Sequence, residues 1–163
     1  VETDGVDLSV GYTLPLGPGD LDIANQTTYL ASYDIQNTPG GPLIDGAGSR
    51  NKLTNSVSTP RWRSNTRFTY LLGDHRFTAV ARYISGYKED VSNIDLDPYP
   101  TFDLQYTYSF APLLGLEEGP SIDLGVINLE NRRPPVVNET LGVDSSVADP
   151  RGRMVYVKLR QKL

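Results

Sequence analysis

Charged side chains recur at every second position along several stretches of this chain, and that spacing sets the chemistry open to them. Arg63 and Arg67 flank Asn65 in RWRSNTRF, and Arg76 and Arg82 share one parity in RFTAVARY. Asp103 lies in TFDLQYTY, Asp123 in SIDLGVIN, and Lys158, Arg160 and Lys162 in VYVKLRQKL. Asp7, Asp22 and Asp34 fit the same pattern. In extended chain a period of two places all of them on one face. Two uses follow: opposite charges pair across neighbouring strands, or the fixed forks of some arginines guide an anionic ligand. Antiparallel strands would bring Asp123 level with Arg160 or Lys162.

Other candidate chemistry is thin. KEDVSNIDLD gathers Glu89, Asp90, Asp95 and Asp97, oxygen ligands of the kind Ca²⁺ takes, but the spacing is not an EF-hand and its central Gly is absent. His75 is the only histidine; alone it builds neither a His-paired zinc site nor a triad, and it reads as a turn residue. Asn138 opens an Asn-Glu-Thr sequon. There is no phosphate loop, dinucleotide fingerprint, nucleophile elbow or pair of catalytic carboxylates. No catalytic, cofactor-binding or metal-ligating residue is assigned. Cys is absent, which removes disulfides, thiolate metal sites and Cys nucleophiles. A formal net charge of -5 argues against a nucleic-acid partner, which would call for a basic field.

The elements that must position these charges are strands. No run approaches the ~18 apolar residues of a spanning helix, and ten Tyr with one Trp favour β-structure. Alternation predicts strands over about 5–16, 20–35, 61–72, 76–87, 99–110, 121–129 and 152–163. The apolar parity carries Val6, Leu8, Val10 and Tyr12 in the first, Phe68 and Tyr70 in the third, and Val155, Val157, Leu159 and Leu163 in the last, with Gln161 interrupting it. In the second strand Asn25 and Thr27 weaken the middle.

The links between strands alternate short and long, with Gly, Pro, Asn, Asp and Ser concentrated in the long ones. Tight turns on one side and extended loops on the other are the pattern of a transmembrane β-barrel. Aromatic residues collect toward strand ends, with Tyr33, Trp62, Tyr87 and Phe102 near long links and Tyr108 and Phe110 toward a short one, as lipid-facing girdles would.

Five segments in order, GVDLSVGYTLPLGPGDLDIANQTTYLASYDIQ, PRWRSNTRFTYLLGDHRFTAVARYISGY, FDLQYTYSF, IDLGVINLENRRPP and DPRGRMVYVKLRQKL, together resemble the end of a TonB-dependent outer-membrane receptor barrel. NLENRRPP and DPRGR are the most specific parts. The resemblance implies an all-β fold: an antiparallel transmembrane β-barrel of about 22 strands, of which residues 1–163 supply the last seven. It implies an outer-membrane location with Leu163 at the periplasmic side, where the family usually ends in an aromatic residue. Active import of a scarce solute, of siderophore, vitamin or oligosaccharide class, is the implied function, without enzymatic activity.

The implied partners are outer-membrane lipid, the remaining barrel strands and plug of the same receptor, a TonB-type energising complex and the barrel-assembly machinery. In such a barrel Arg63, Arg67, Arg82, Asp103, Asp123, Lys158 and Arg160 would face the lumen, toward substrate or plug. Two other readings fit the alternation alone: a passive porin or small outer-membrane barrel, and a soluble β-sandwich that serves as a binding module. An outer-membrane enzyme fits poorly, since no nucleophile, base and orienter are visible.

Overall fold

The structure, a computed structural model, describes residues 1–54, 57–112, 119–138 and 142–161. The strands are β1 (Glu2–Leu16), β2 (Gly19–Ile35), β3 (Ile44–Asp45), β4 (Ser49–Arg50), β5 (Trp62–Leu72), β6 (His75–Ile84), β7 (Tyr87–Glu89), β8 (Ile94–Leu96), β9 (Thr101–Ser109), β10 (Ser121–Ile127) and β11 (Met154–Arg160). Among the described residues no helix is long and apolar enough to cross a membrane, which says nothing of β-barrels.

Seven long strands form one antiparallel meander in the order β1-β2-β5-β6-β9-β10-β11, with β3 added beside the end of β2. Neighbours in sequence are neighbours in space, and β1 and β11 are the two edges. Two of the short turns share one cause. Gly17 and Gly73 each open a two-residue connection with positive φ (61° and 54°), the signature of a type II′ hairpin whose twist suits the strands it joins. The long strands match the alternation to within a few residues. The expected 76–87 strand stops at Ile84, and Tyr87 begins the separate β7.

Register fixes two faces. Tyr12↔Ile23↔Phe68↔Ala79↔Leu104↔Val126↔Val155 runs across the sheet with no charged member. The other face carries Asp7, Asp22, Arg63, Arg67, Arg76, Arg82, Asp103, Asp123, Lys158 and Arg160. The uncharged face is open: Val6 is 63 % exposed, Leu104 46 % and Val157 64 %. A shallow apolar trough of about 630 Å³ lies along it, lined by Phe68, Phe77, Leu104, Leu124 and Val157.

The buried apolar core lies elsewhere. Tyr87, Leu96, Val137 and Val147 pack together, with Ile84 against them, so the core joins the second and third long links (85–100 and 128–153) at the end of a single-layer sheet. A lone sheet has no second layer to cover its faces. The strands β4, β7 and β8 form a small separate sheet there, β4 parallel to β7, and so draw in the first long link (36–61).

Two expected girdle residues are placed differently. A bulge at Ala31 makes Gly5 pair with Leu30 and Asp4 with Ser32, and one extra residue reverses the alternation beyond it. Tyr33 therefore pairs with Thr3, on the charged face, and Asp34 pairs with Glu2, on the uncharged one. Tyr87 is only 5 % exposed, inside the link core. The other four keep the expected side or end. Trp62 meets Tyr29 at 4.5 Å with the rings tilted, Phe102 is 43 % exposed, and Tyr108 meets Phe110 edge-on at 4.7 Å. His75 joins this lower band, its Nδ1 2.8 Å from Tyr106 Oη.

Candidate functional site

On the charged face most ions are already matched. Arg160 Nη2 donates to both oxygens of Asp123 at 2.7 and 2.5 Å. Asp123 Oδ1 also accepts from Thr107 Oγ1 at 2.8 Å, while Gln105 Nε2 donates to Thr107 Oγ1 at 3.1 Å and Tyr156 Oη to Gln105 Oε1 at 2.8 Å. One polar chain thus crosses β9, β10 and β11. Lys158 is the direct register partner of Asp123 and adds positive charge beside it. Arg82 binds Asp103, whose other oxygen accepts from Asn128 N at 3.0 Å. Asp7 and Asp22 accept from Thr28 (2.5 Å) and Thr13 (2.7 Å).

The unmatched arginines of this face are Arg63, Arg67 and Arg76. None has a hydrogen bond or ion pair to another described residue. Arg67 lines a polar hollow of about 550 Å³ with Ser9, Gln26, Asn65 and Arg82. Arg63 stands four residues away on the same face of β5. A second hollow of about 330 Å³ lies at the base of the long links, lined by Arg82, Tyr99, Thr101, Asp103, Asn128 and Arg151. Arg82 belongs to both, so unmatched positive charge on the strand wall adjoins a hollow beneath the links. Guanidinium forks in such a position suit carboxylate, phosphate or another anion that presents two oxygens together.

The two most specific sequence segments contact one another. In NLENRRPP, Asn128 takes a positive φ of 53°. Its Nδ2 donates to Arg132 O and its Oδ1 accepts from Arg132 N, both at 2.8 Å. Asn131, with φ 56°, accepts from Arg153 N at 3.0 Å through Oδ1. In DPRGR, Arg151 closes onto Asp149 through Nε at 2.9 Å and Nη2 at 2.6 Å. Hydrogen bonds from Arg151 hold the Asp149 carboxyl down at about 2. These residues shape the turn out of β10 and the approach to β11.

Above them the long links are locked by a buried polar centre. Asp144 Oδ2 accepts from Ser58 Oγ and Tyr87 Oη, both at 2.5 Å, and Oδ1 accepts from Ser146 Oγ at 2.5 Å and Ser146 N at 3.1 Å. Arg50 approaches the same carboxylate at 3.4 Å. Burial opposes the charge on Asp144, but these bonds and Arg50 outweigh it and hold its carboxyl below the usual range. Burial likewise opposes charge on Glu89, and the N–H groups of Ser92 and Val91 pull its carboxyl below the usual range. Burial, then Asp144, pushes the Tyr87 phenol up.

The acidic stretch 88–97 does not converge. Glu89 folds onto Val91 and Ser92, and Asp90 accepts from Lys52 N at 3.2 Å. Among the described residues no group of three His, Cys, Asp or Glu is placed to hold a metal ion. Val155, Val157 and Leu159 line up on the uncharged face of β11 and are 74 %, 64 % and 76 % exposed. Leu163 and Lys162 lie outside the described residues, as do Glu139 and Thr140 of the sequon. Sequence reading missed the Asp144 centre, whose members come from three aperiodic links. Comparison with protein families, with curated proteins and with solved structures finds no match.

Proposed function

We propose that this chain is the closing wall of an outer-membrane β-barrel, the last seven strands of a TonB-dependent receptor that imports a scarce solute. One observation carries the reading. A seven-stranded antiparallel meander exposes a face that is uncharged from the short turns up to the Ala31 bulge, gathers its charges on the other, and keeps short turns at one end and packed long links at the other. In water such an uncovered apolar face is a liability. In a bilayer it is the lipid-facing surface, with aromatic bands at the two interfaces.

The edges β1 and β11 would each pair with strands of the same receptor, because an open sheet edge does not survive in hydrocarbon. The long links would form the extracellular surface, and the last strand would descend to the periplasmic side. Lipid, the remaining strands and plug, the energising complex and the assembly machinery are then the partners. Solute would enter between links and wall, where Arg63 and Arg67 offer unmatched positive charge to an anionic solute or to an acidic part of the plug.

Fractionation tests the proposal. The full-length chain should be recovered from outer membranes only with detergent, and a deletion strain should lose growth on one scarce iron, vitamin or glycan source. A chain found folded in the soluble fraction without detergent ends the reading in favour of a β-sandwich. Solute entry that persists after the membrane is de-energised favours a passive porin.

A further inference from the structure

One row of the charged face runs from the open wall into the hollow beneath the links. Ser9, Gln26, Asn65, Arg82 and Thr101 are register partners in turn across β1, β2, β5, β6 and β9. Side chains opposite one another on neighbouring strands stand close enough to bond, and toward the short turns Thr107 bonds Asp123 and Tyr156 bonds Gln105. Along this row only Arg82 is engaged, by Asp103. The side chains of Ser9, Gln26, Asn65 and Thr101 make no hydrogen bond to a described residue.

Thr101 differs from the others in being only 8 % exposed. Among the described residues every side-chain nitrogen or oxygen shut off from solvent has a partner, so the unbonded Thr101 hydroxyl keeps open surface on the wall of the 330 Å³ hollow. Ile84, Ile127, Val147 and Tyr99 give that hollow apolar wall as well. In the 550 Å³ hollow Gly11 and Ala24 precede Arg67 in its row, and a Cβ on Gly11 would meet nothing, so the floor stays low. Among the described residues no carboxylate lines it, and the charge of Arg67 goes unanswered there. Arg82 lines both hollows and joins them into one track.

We propose that this track binds an acidic oligosaccharide, an inference that rests on the receptor reading above and names its solute. Hydroxyl groups both donate and accept, as do the amides of Gln26 and Asn65. A carboxylate takes paired N–H bonds from a guanidinium such as that of Arg67. Saccharide rings also carry apolar C–H faces, which suit Ile84, Ile127 and Val147 beside the Thr101 hydroxyl. An extended peptide laid along the row fits less well: its same-side groups repeat at ~6.8 Å, whereas neighbouring strands present side chains every ~4.8 Å. A small hydroxy acid would occupy Arg67 on β5 and leave Thr101 on β9 unreached, two strand spacings or about 10 Å away.

The purified full-length receptor is titrated calorimetrically with a panel of uronate tetramers of α and β linkage, with the neutral tetramers of the same linkages, and with citrate. One uronate tetramer should bind at least tenfold more tightly than its neutral counterpart and than citrate. Arg67→Gln should remove that tenfold preference, while Arg76→Gln, the same charge change on the same face outside both hollows, should leave it unchanged. Thr101→Val, which puts a methyl group in place of the hydroxyl, should weaken binding about three- to tenfold without lowering the thermal midpoint, because that hydroxyl has no partner in the protein to lose. No binding of any uronate tetramer, equal binding of the neutral tetramer or citrate, or equal losses from Arg67→Gln and Arg76→Gln overturns the proposal. In native membranes an Asn65→Cys thiol should react with a membrane-impermeant maleimide and be protected by the tetramer. An unreactive thiol without sugar shows the row covered by the receptor's own chain, which overturns the sugar site and leaves the receptor reading intact. A chain found folded in the soluble fraction without detergent overturns the receptor reading, and the solute with it.

Discussion

Asp144 joins parts of the chain that lie far apart in sequence, and its chemistry dictates how the links respond to pH and substitution. Its side chain is fully buried beside Arg50, and removing one partner of such a pair costs about 3–5 kcal/mol. Asp144→Ala should loosen the links by that order, seen as new protease cleavage within 36–61 and 128–153 while the β-sheet circular dichroism is retained. A carboxyl held below its ordinary value near 4 contributes stability that is complete above that value and is lost as the pH falls through the lower folded one. Tyr87 acts oppositely: its contribution is present below the ordinary phenol value near 10 and is lost as the pH rises past it. Hydrogen-exchange protection in the links, taken relative to the intrinsic rate at each pH, should therefore be greatest between those limits and fall on either side. On the wall, Arg63 and Arg67 have no carboxylate to release. Replacing both with Ala should leave the stability within about 0.5 kcal/mol of the parent and weaken binding of an anionic solute at least tenfold, measured by titration. An unchanged affinity would assign these arginines to plug contact or hydration instead.

At the scale of elements, the Gly125–Tyr156 pair decides how β10 and β11 dock. Tyr156 lies over Gly125, where a Cβ would run into its ring, and from there its hydroxyl reaches Gln105 on β9. Gly125→Val should push the ring aside and destabilise the sheet by about 1–3 kcal/mol. Tyr156→Phe, which keeps the packing and drops one hydrogen bond, should cost about 1 kcal/mol. Urea unfolding of the full-length chain followed by tryptophan fluorescence measures both, and a Gly125→Val cost below that of Tyr156→Phe would show that the ring is not held over the glycine. Strand positions were legible in the sequence because one buried or lipid-facing side imposes a period of two, as in Phe102, Leu104, Tyr106 and Tyr108. The Ala31 bulge was not, because alanine carries no turn signal and the chain simply inserts one residue, which is why Tyr33 changes sides. Tyr87 was misplaced for a related reason: alternation runs on past Ile84, but the strand ends and the ring goes into the link core. The paired charges of the wall followed from parity, while Arg50, Ser58 and Asp144 lie in links whose order comes from tertiary contacts.

For the whole molecule, the membrane proposal turns on whether the uncharged side of the sheet meets lipid. Val6, Leu104 and Val157 on one side are open and uncharged, while the other side matches most of its ions and carries polar hollows. A soluble sandwich would bury that uncharged side against a second sheet, whereas a barrel wall would give it to hydrocarbon. Consecutive residues of β9 distinguish the two, since Leu104 and Tyr106 point one way and Asp103, Gln105 and Thr107 the other. The direct measurement is a single-cysteine scan of residues 103 to 107 in the full-length chain in native membranes, reading reactivity toward a membrane-impermeant maleimide and quenching by spin-labelled lipid. Alternation is predicted, with 104 and 106 quenched by lipid and unreactive, and 103, 105 and 107 unquenched and reactive wherever water reaches the lumen. Residues 104 and 106 shielded from both lipid and water, or equally reactive at all five positions, would contradict the account.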